Sequence, residues 1–365
     1  NLVIGVGGCV GQISGEKILK RAPYVDLVFG TLNIHRLPIL IKKVSESNNP
    51  VSEIFSEGEE NLEDYAISRE SDLQAWVSIM HGCNNYCSYC VVPFTRGREI
   101  SKKCTDILNE IKKLSQQGYK EVTLLGQNVN SYGNDLDERI SFSELLEKIH
   151  EIKGIERIRF VTSHPKDFSE DLIKVIKNFD KVCKQIHLPA QSGSNKILSL
   201  MNRNYSLDDY MEKVNSLKSN VPGVALSTDI IVGFPGETEQ DFEATVELIE
   251  KVEFNNVFLF NYSARPDTAA AKLPDQVERK IKQRRFDTLL DLQKDITLRL
   301  NMGLEGKSVE ILVEGKSKNN PGKLTGRTCT NKIVNFSGNN RLRGKIVPIK
   351  IERAGLYSLD GQAIN

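Results

Sequence analysis

HGCNNYCSYC, residues 81–90, places Cys83, Cys87 and Cys90 on one short loop at the spacing C-x3-C-x2-C. Directly before it runs AWVSIM (75–80), a strand-like apolar stretch. Three thiolates this close can each hold one iron of a 4Fe–4S cube; the fourth iron then has no protein ligand and is open to a chelating small molecule. The competing reading is a structural zinc knuckle completed by His81 or a distant cysteine. Closed zinc sites take four ligands and mostly pair their cysteines as two C-x2-C hooks, and the chain has no second hook. Seven cysteines in 365 residues are too few for a disulfide framework. The crowding of three of them between 83 and 90 points to a metal site in a reducing compartment, so a cytoplasmic protein is expected.

Outward from this loop the chain keeps a regular beat. Strand-like runs recur as EVTLLG (121–126), RIRFVTS (157–163), KQIHLP (184–189), VALSTDIIVGF (224–234) and NNVFLFNYS (255–263), which with AWVSIM makes six. Amphipathic helix patterns lie between them, among them ILNEIKKL (107–114), FSELLEKIHEI (142–152) and DFEATVELIEKV (241–252). Capping-box spacing opens three helices, with Ser141 before Glu144, Ser206 before Asp209 and Thr238 before Asp241. Strand–helix alternation of this length predicts parallel units with right-handed crossovers. Six are two short of a complete eight-stranded barrel. The expected fold class is therefore α/β, a partial (β/α)6 barrel over 73–300, with chemistry in the loops at the C-terminal strand ends. Polar residues there are the candidate ligand contacts: Gln127, Asn128, Ser163 and Gln191, with Asp229 inside the fifth strand and Arg203 suited to a bidentate carboxylate contact.

Residues 1–45 read as a fragment of an α/β domain. NLVIGV (1–6) looks like a buried strand, SGEKILKRA (14–22) like a helix and YVDLVFG (24–30) like a second strand. The polar, acidic 46–72 reads as a linker. DQVERKIKQRRFDTLLDLQKDITLRLN (275–301) reads as one long helix. Beyond it, 301–365 holds short β runs, SVEILVEG (308–315), KIVNF (332–336) and GKIVPIKIERA (344–354), which fit a small OB-like barrel of about five strands. From Leu304 onward there are 11 Lys and Arg against 5 Asp and Glu, a net of +6, while the rest of the chain carries −5. A basic tail on an acidic body suits a polyanionic partner. No run approaches the ~20 apolar residues of a membrane span, so no membrane partner is expected.

With Tyr89 as the aromatic residue, the motif C-x3-C-x-aromatic-C at the first loop of a partial barrel resembles the radical S-adenosylmethionine superfamily. The longer run VSIMHGCNNYCSYCVVPFTRGRE (77–99) is similar to its methylthiotransferase family. LLGQNVNSYG (124–133), SHPKDF (163–168), HLPAQSGS (187–194), TDIIVGFPGETE (228–239) and LVEGKSK (312–318) point to the branch that makes 2-methylthio-isopentenyladenosine in tRNA. Branches acting on threonylcarbamoyladenosine in tRNA or on a ribosomal protein differ at GQNVNSYG and stand as alternatives. A zinc-stabilised RNA-binding protein without redox chemistry is the alternative of another class.

The tail resembles the TRAM domain, a small RNA-binding barrel. The resemblance implies a 4Fe–4S cluster on Cys83, Cys87 and Cys90 that binds S-adenosylmethionine, with Tyr89 and the strand-end residues around that cofactor. It implies a second 4Fe–4S cluster, toward which Cys9 is the one family ligand present; two further cysteines are expected upstream of Asn1. Cys104, Cys183 and Cys329 read as structural. Implied partners are the anticodon stem-loop of tRNA, an electron donor such as flavodoxin or ferredoxin, and a sulfur source, with the enzyme a monomer that uses two S-adenosylmethionine molecules per turnover.

Overall fold

The computed structural model describes residues 2–47, 49–55 and 69–364; residues 48 and 56–68 of the expected linker lie outside the described residues. These residues fall into two compact units. One takes the described part of 1–68 with 80–100 and 264–272, the other 69–79, 101–263 and 273 onward. Among the described residues no helix is long and apolar enough to cross a membrane.

The first unit is built on a parallel three-stranded sheet, β1 (Gly5–Val6), β2 (Leu27–Phe29) and β3 (Val51–Glu53), in the order β1-β2-β3. Three helices lie between these strands in sequence: α1 (Cys9–Ser14), α2 (Glu16–Arg21) and α3 (Leu37–Ser47). Leu40 and Val44 of α3 bury against Leu27. Two readings from the sequence need correction here. NLVIGV is not a buried strand: only Gly5–Val6 pairs, on one side, and Leu2 and Ile4 are exposed. Val51–Glu53, inside the stretch read as linker, pairs in register with β2. An acidic, polar neighbourhood masks three residues whose backbone completes the sheet.

The second unit contains the six-stranded sheet. Its strands are β4 (Gln74–Ser78), β7 (Glu121–Leu125), β8 (Arg157–Phe160), β9 (Gln185–His187), β10 (Ala225–Val232) and β11 (Asn256–Asn261). Two-residue strands, β5 (Met80–His81) and β6 (Ile100–Ser101), bracket the cysteine loop in sequence. All neighbours pair parallel as β4-β7-β8 and β9-β10-β11, and a bridge from Ile158 to Val182 joins the halves. This is the expected α/β partial barrel. A short α4 (Val92–Arg96) follows the cysteine loop. The crossovers carry α5 (Cys104–Gln116), α6 (Phe142–His150), α7 (Glu170–Asn178), α8 (Asn195–Leu200), α9 (Leu207–Asn220) and α10 (Glu239–Val252). Alternate strand residues such as Val77, Val122, Leu124, Ile158, Ile230 and Val232 are fully buried, so one sheet face meets the helices and the other lines the barrel lumen. The three anticipated capping boxes are all formed; each satisfies backbone N–H groups that the first helical turn leaves unpaired.

The long helix α11 begins at Arg279 and runs to Met302, with Leu289 and Ile296 buried. Val277 stays outside it, after Asp275 at φ 56° has turned the chain. The C-terminal strands β12 (Ser308–Lys316), β13 (Leu324–Thr328), β14 (Ile333–Ser337), β15 (Ile346–Ala354) and β16 (Leu359–Ala363) close a barrel in the order β12-β13-β14-β16-β15. Ile311, Val313, Val334, Phe336, Ile349 and Ile351 fill it.

Candidate active site

The cysteine loop is shaped by glycine. Gly82 has φ +73°, and a Cβ there would lie 1.9 Å from the Arg98 carbonyl oxygen, so no other residue fits beside Cys83. The Cys83 N–H donates to Gly97 O at 3.3 Å and the Cys90 N–H to Cys87 O at 2.9 Å. The side chain of Asn84 and that of Glu99 exchange bonds with each other's backbone N–H groups at 3.2–3.3 Å, closing the loop. Donors already face sulfur: Asn85 Nδ2 on Cys83 Sγ and the Val92 N–H on Cys90 Sγ, each at 3.5 Å. Burial pushes the Cys83 thiol up, with Asn85 opposing. All three cysteines are partly buried.

No three His, Cys, Asp or Glu side chains among the described residues converge on one metal ion. The donor set, thiolate-only and backed by N–H groups, fits a 4Fe–4S cluster. Cys9 opens α1, which packs against α4, so it shares a unit with the loop cysteines and with Tyr89.

In the other unit, the strand-end candidates gather where β7, β8 and β9 finish. Gln127 Oε1, Asn128 Oδ1 and Ser163 Oγ are buried and have no hydrogen-bond partner among the described residues. Two residues the sequence reading did not select join them: Asn130, both of whose amide atoms are buried and unpaired, and His164, whose Nε2 is likewise. Burial, aided by Arg203 and Lys166, lowers the His164 ring to about 2, so it is neutral. Its Nδ1 accepts from the Lys166 N–H at 3.2 Å, leaving Nε2–H as a donor. Unpaired buried polar atoms each cost about 1–3 kcal/mol, and five residues carrying them at one end of a sheet fit a polar ligand. Asn130 was legible inside GQNVNSYG; His164 had no signal beyond its place beside Ser163.

The remaining candidates have structural partners. Asn128 Nδ2 donates to Asp167 Oδ2 at 2.7 Å. Gln191, at φ +71°, donates its N–H to the Asp229 carbonyl at 2.8 Å. Arg203 is buried, donating to Tyr205 OH at 3.0 Å and Pro189 O at 3.1 Å. The Asp229 carboxylate is 3.4 Å from His187 Nε2.

Strand register carries the lumen face across the sheet: Trp76, Thr123 and Arg159 share one row, and Asp229 pairs with Phe258. Trp76 is 60% and Phe258 48% exposed, so aromatic rings stand at both edges of the open barrel. At the strands' N-terminal ends the C-terminal barrel is latched on by arginine. Arg157 donates to the carbonyls of Arg327 and Glu310, and Arg159 to those of Thr328 and Cys329 at 2.8 and 3.1 Å. Arg159 Nε also pairs with buried Glu121 at 3.0 Å. Cys183, buried beside them, has its thiol pushed up to about 12 by desolvation, which makes it inert, as a structural cysteine should be.

The description of the radical SAM superfamily matches residues 77–249, and that of the TRAM domain residues 304–364. The tRNA-2-methylthio-N(6)-dimethylallyladenosine synthase of Thermoanaerobacter pseudethanolicus is 50% identical over 100% of this chain and 78% of its own length. Enzymes of the same name from Clostridium botulinum strain Okra and Clostridium perfringens are 50% and 51% identical, with 81% and 82% of their lengths covered. The chain belongs to the tRNA-2-methylthio-N(6)-dimethylallyladenosine synthase family of radical S-adenosylmethionine enzymes.

Proposed function

We propose that the protein replaces the C2 hydrogen of N6-dimethylallyladenosine, next to the anticodon in tRNA, with a methylthio group. The observation that carries this reading is the thiolate loop directly after the first strand of a six-stranded parallel partial barrel, in a chain half identical to enzymes of that name. When bound, the cluster supplies the electron that cleaves S-adenosylmethionine to a 5′-deoxyadenosyl radical. Cys83, Cys87 and Cys90 would hold it, with Asn85 and the Val92 N–H steadying two of the sulfurs.

Gln127, Asn128, Ser163, Gln191, Arg203, Asp229 and Tyr89 are proposed to surround S-adenosylmethionine. The unpaired atoms of Asn130 and His164 extend this set: a neutral His164 donates through Nε2, and Asn130 offers both a donor and an acceptor. Groups fixed before the ligand arrives need no reorganisation when a radical forms. Cys9 is proposed as one ligand of a second 4Fe–4S cluster that carries the transferred sulfur. The sequence division, with its first part carried on to Glu53 by β3, is proposed as the functional one: sulfur delivery over 1–53, radical chemistry over 73–300 and RNA binding over 301–365. A flavodoxin or ferredoxin as electron donor, a separate sulfur source, a monomeric state and a cytoplasmic location complete the proposal.

The test is anaerobic reconstitution followed by incubation with tRNA carrying N6-dimethylallyladenosine, then mass spectrometry of the digested nucleosides. The methylthio derivative with iron and sulfide on the protein is expected. Zinc without sulfide, or methylthiolation only of threonylcarbamoyladenosine or a ribosomal protein, would overturn it.

A further inference from the structure

Within the second unit, a cleft of about 310 Å³ opens between the N-terminal halves of β9–β11, α11 and the C-terminal barrel. That volume is at the lower end of small-molecule sites, ~300–1,000 Å³. Phe258 lines it and also stands on the lumen face, edge-on to His187 at 5.7 Å, so cleft and lumen share that ring as a wall. The opposite wall comes from the TRAM barrel, with Lys332 and Tyr357. Tyr357 is 81% exposed, a large ring with no packing role. Lys332 is half-buried, and its ammonium meets only the amide oxygen of Asn301 at 2.5 Å; it has no carboxylate partner among the described residues. Burial pushes that ammonium down, the mark of a cation short of a counter-ion.

We propose that this cleft takes one nucleotide of the substrate RNA that flanks the modified adenosine, its base on the aromatic rings and its phosphate on Lys332. The inference rests on the tRNA substrate proposed above and adds a second subsite to it. A nucleotide is the occupant that uses every wall. Aromatic rings stack bases of any identity and a nearby cation takes the backbone phosphate, while the reacting base occupies the adjoining lumen. Single-stranded loop bases are the ones that splay apart in this way. A free metabolite would not need a wall supplied by an RNA-binding barrel.

The test uses the reconstituted holoenzyme and anticodon stem-loop RNAs carrying N6-dimethylallyladenosine, intact or abasic at one neighbouring nucleotide. Tyr357→Ala is expected to weaken binding of the intact RNA by ~5- to ~150-fold, the range for one stacked base. Lys332→Gln should flatten the salt dependence by one phosphate, a slope change of ~0.7–0.9, and Lys332→Arg should restore it. RNA abasic at the flanking position should bind wild type as weakly as Tyr357→Ala binds intact RNA, with no further loss when both changes are combined. Unchanged affinity and salt slope in both variants, or losses that simply add, would overturn the subsite. Methylthio product from wild type is scored in the same assay. Its absence strikes the substrate reading, whereas normal product with indifferent variants strikes only the cleft.

Discussion

Replacing Arg159 by Met tests whether the TRAM barrel is latched to the partial barrel by buried arginine. Arg159 is 7% exposed and makes two bonds to carbonyls of the TRAM barrel, from Thr328 and Cys329, besides its ion pair with Glu121. A hydrogen bond from a charged group is worth ~1.5–3 kcal/mol. The larger effect is on Glu121, whose side chain is 4% exposed: without Arg159 its carboxylate loses its ion pair and keeps the amide of Gln74 at 3.2 Å, with the charge of Arg157 nearby. Stranding one member of a buried pair costs ~3–5 kcal/mol, and that is the expected loss. Adding Glu121→Gln removes the stranded charge and should recover ~1–3 kcal/mol. Trp76, the chain's one tryptophan, shares a register row with Thr123 and Arg159, so its fluorescence during urea unfolding reports on this region. A loss under ~1 kcal/mol in the single variant, or no recovery in the double, would refute the latch.

Cys87→Ala should abolish 5′-deoxyadenosine formation, since among the described residues no fourth cysteine lies on the loop; residual product after anaerobic reconstitution would contradict the ligand set. Gly82→Ala should lower iron incorporation sharply, because the new Cβ meets the Arg98 carbonyl. Gly97→Ala, with equal φ but open space, should cost only backbone strain of ~1–3 kcal/mol; equal iron content in the two variants would refute this. His164 is neutral when folded and regains its usual basicity when unfolded, so the unfolded state takes up the proton. The stability it confers is complete above pH ~6.5 and falls toward lower pH, approaching ~1.4 kcal/mol per unit. His164→Asn should therefore unfold with a flatter dependence between pH 7.5 and 5.5, as read by urea midpoints.

Local signals were read directly. The cysteine spacing, the alternation of strand and helix and the capping boxes at Ser141, Ser206 and Thr238 depend on residues a few positions apart, and the structure contains all three boxes and all six strands. β13 (LTGRT) and β16 (LDGQA) were missed because they lack an apolar run. Their glycines are set by distant backbone: a Cβ on Gly326 would lie 2.4 Å from Leu312 O, and one on Gly361 2.2 Å from Lys350 O. The exposure of Leu2 and Ile4 and the pairing of Val51–Glu53 depend in the same way on which strand lies alongside.

At the site the division is similar. The sequence by itself determined that three thiols share one loop behind a glycine, because that spacing needs no distant partner. Tertiary structure decided what surrounds it. Asn130 and His164 become candidates only once packing removes water from their polar atoms and provides no protein partner. Arg157 and Arg159, charged residues in an apolar strand, become a latch only because carbonyls some 170 residues away come within hydrogen-bond reach. Periodicity records which face of an element avoids water, but the partner that satisfies a buried charge or an unpaired amide is set by how distant segments meet.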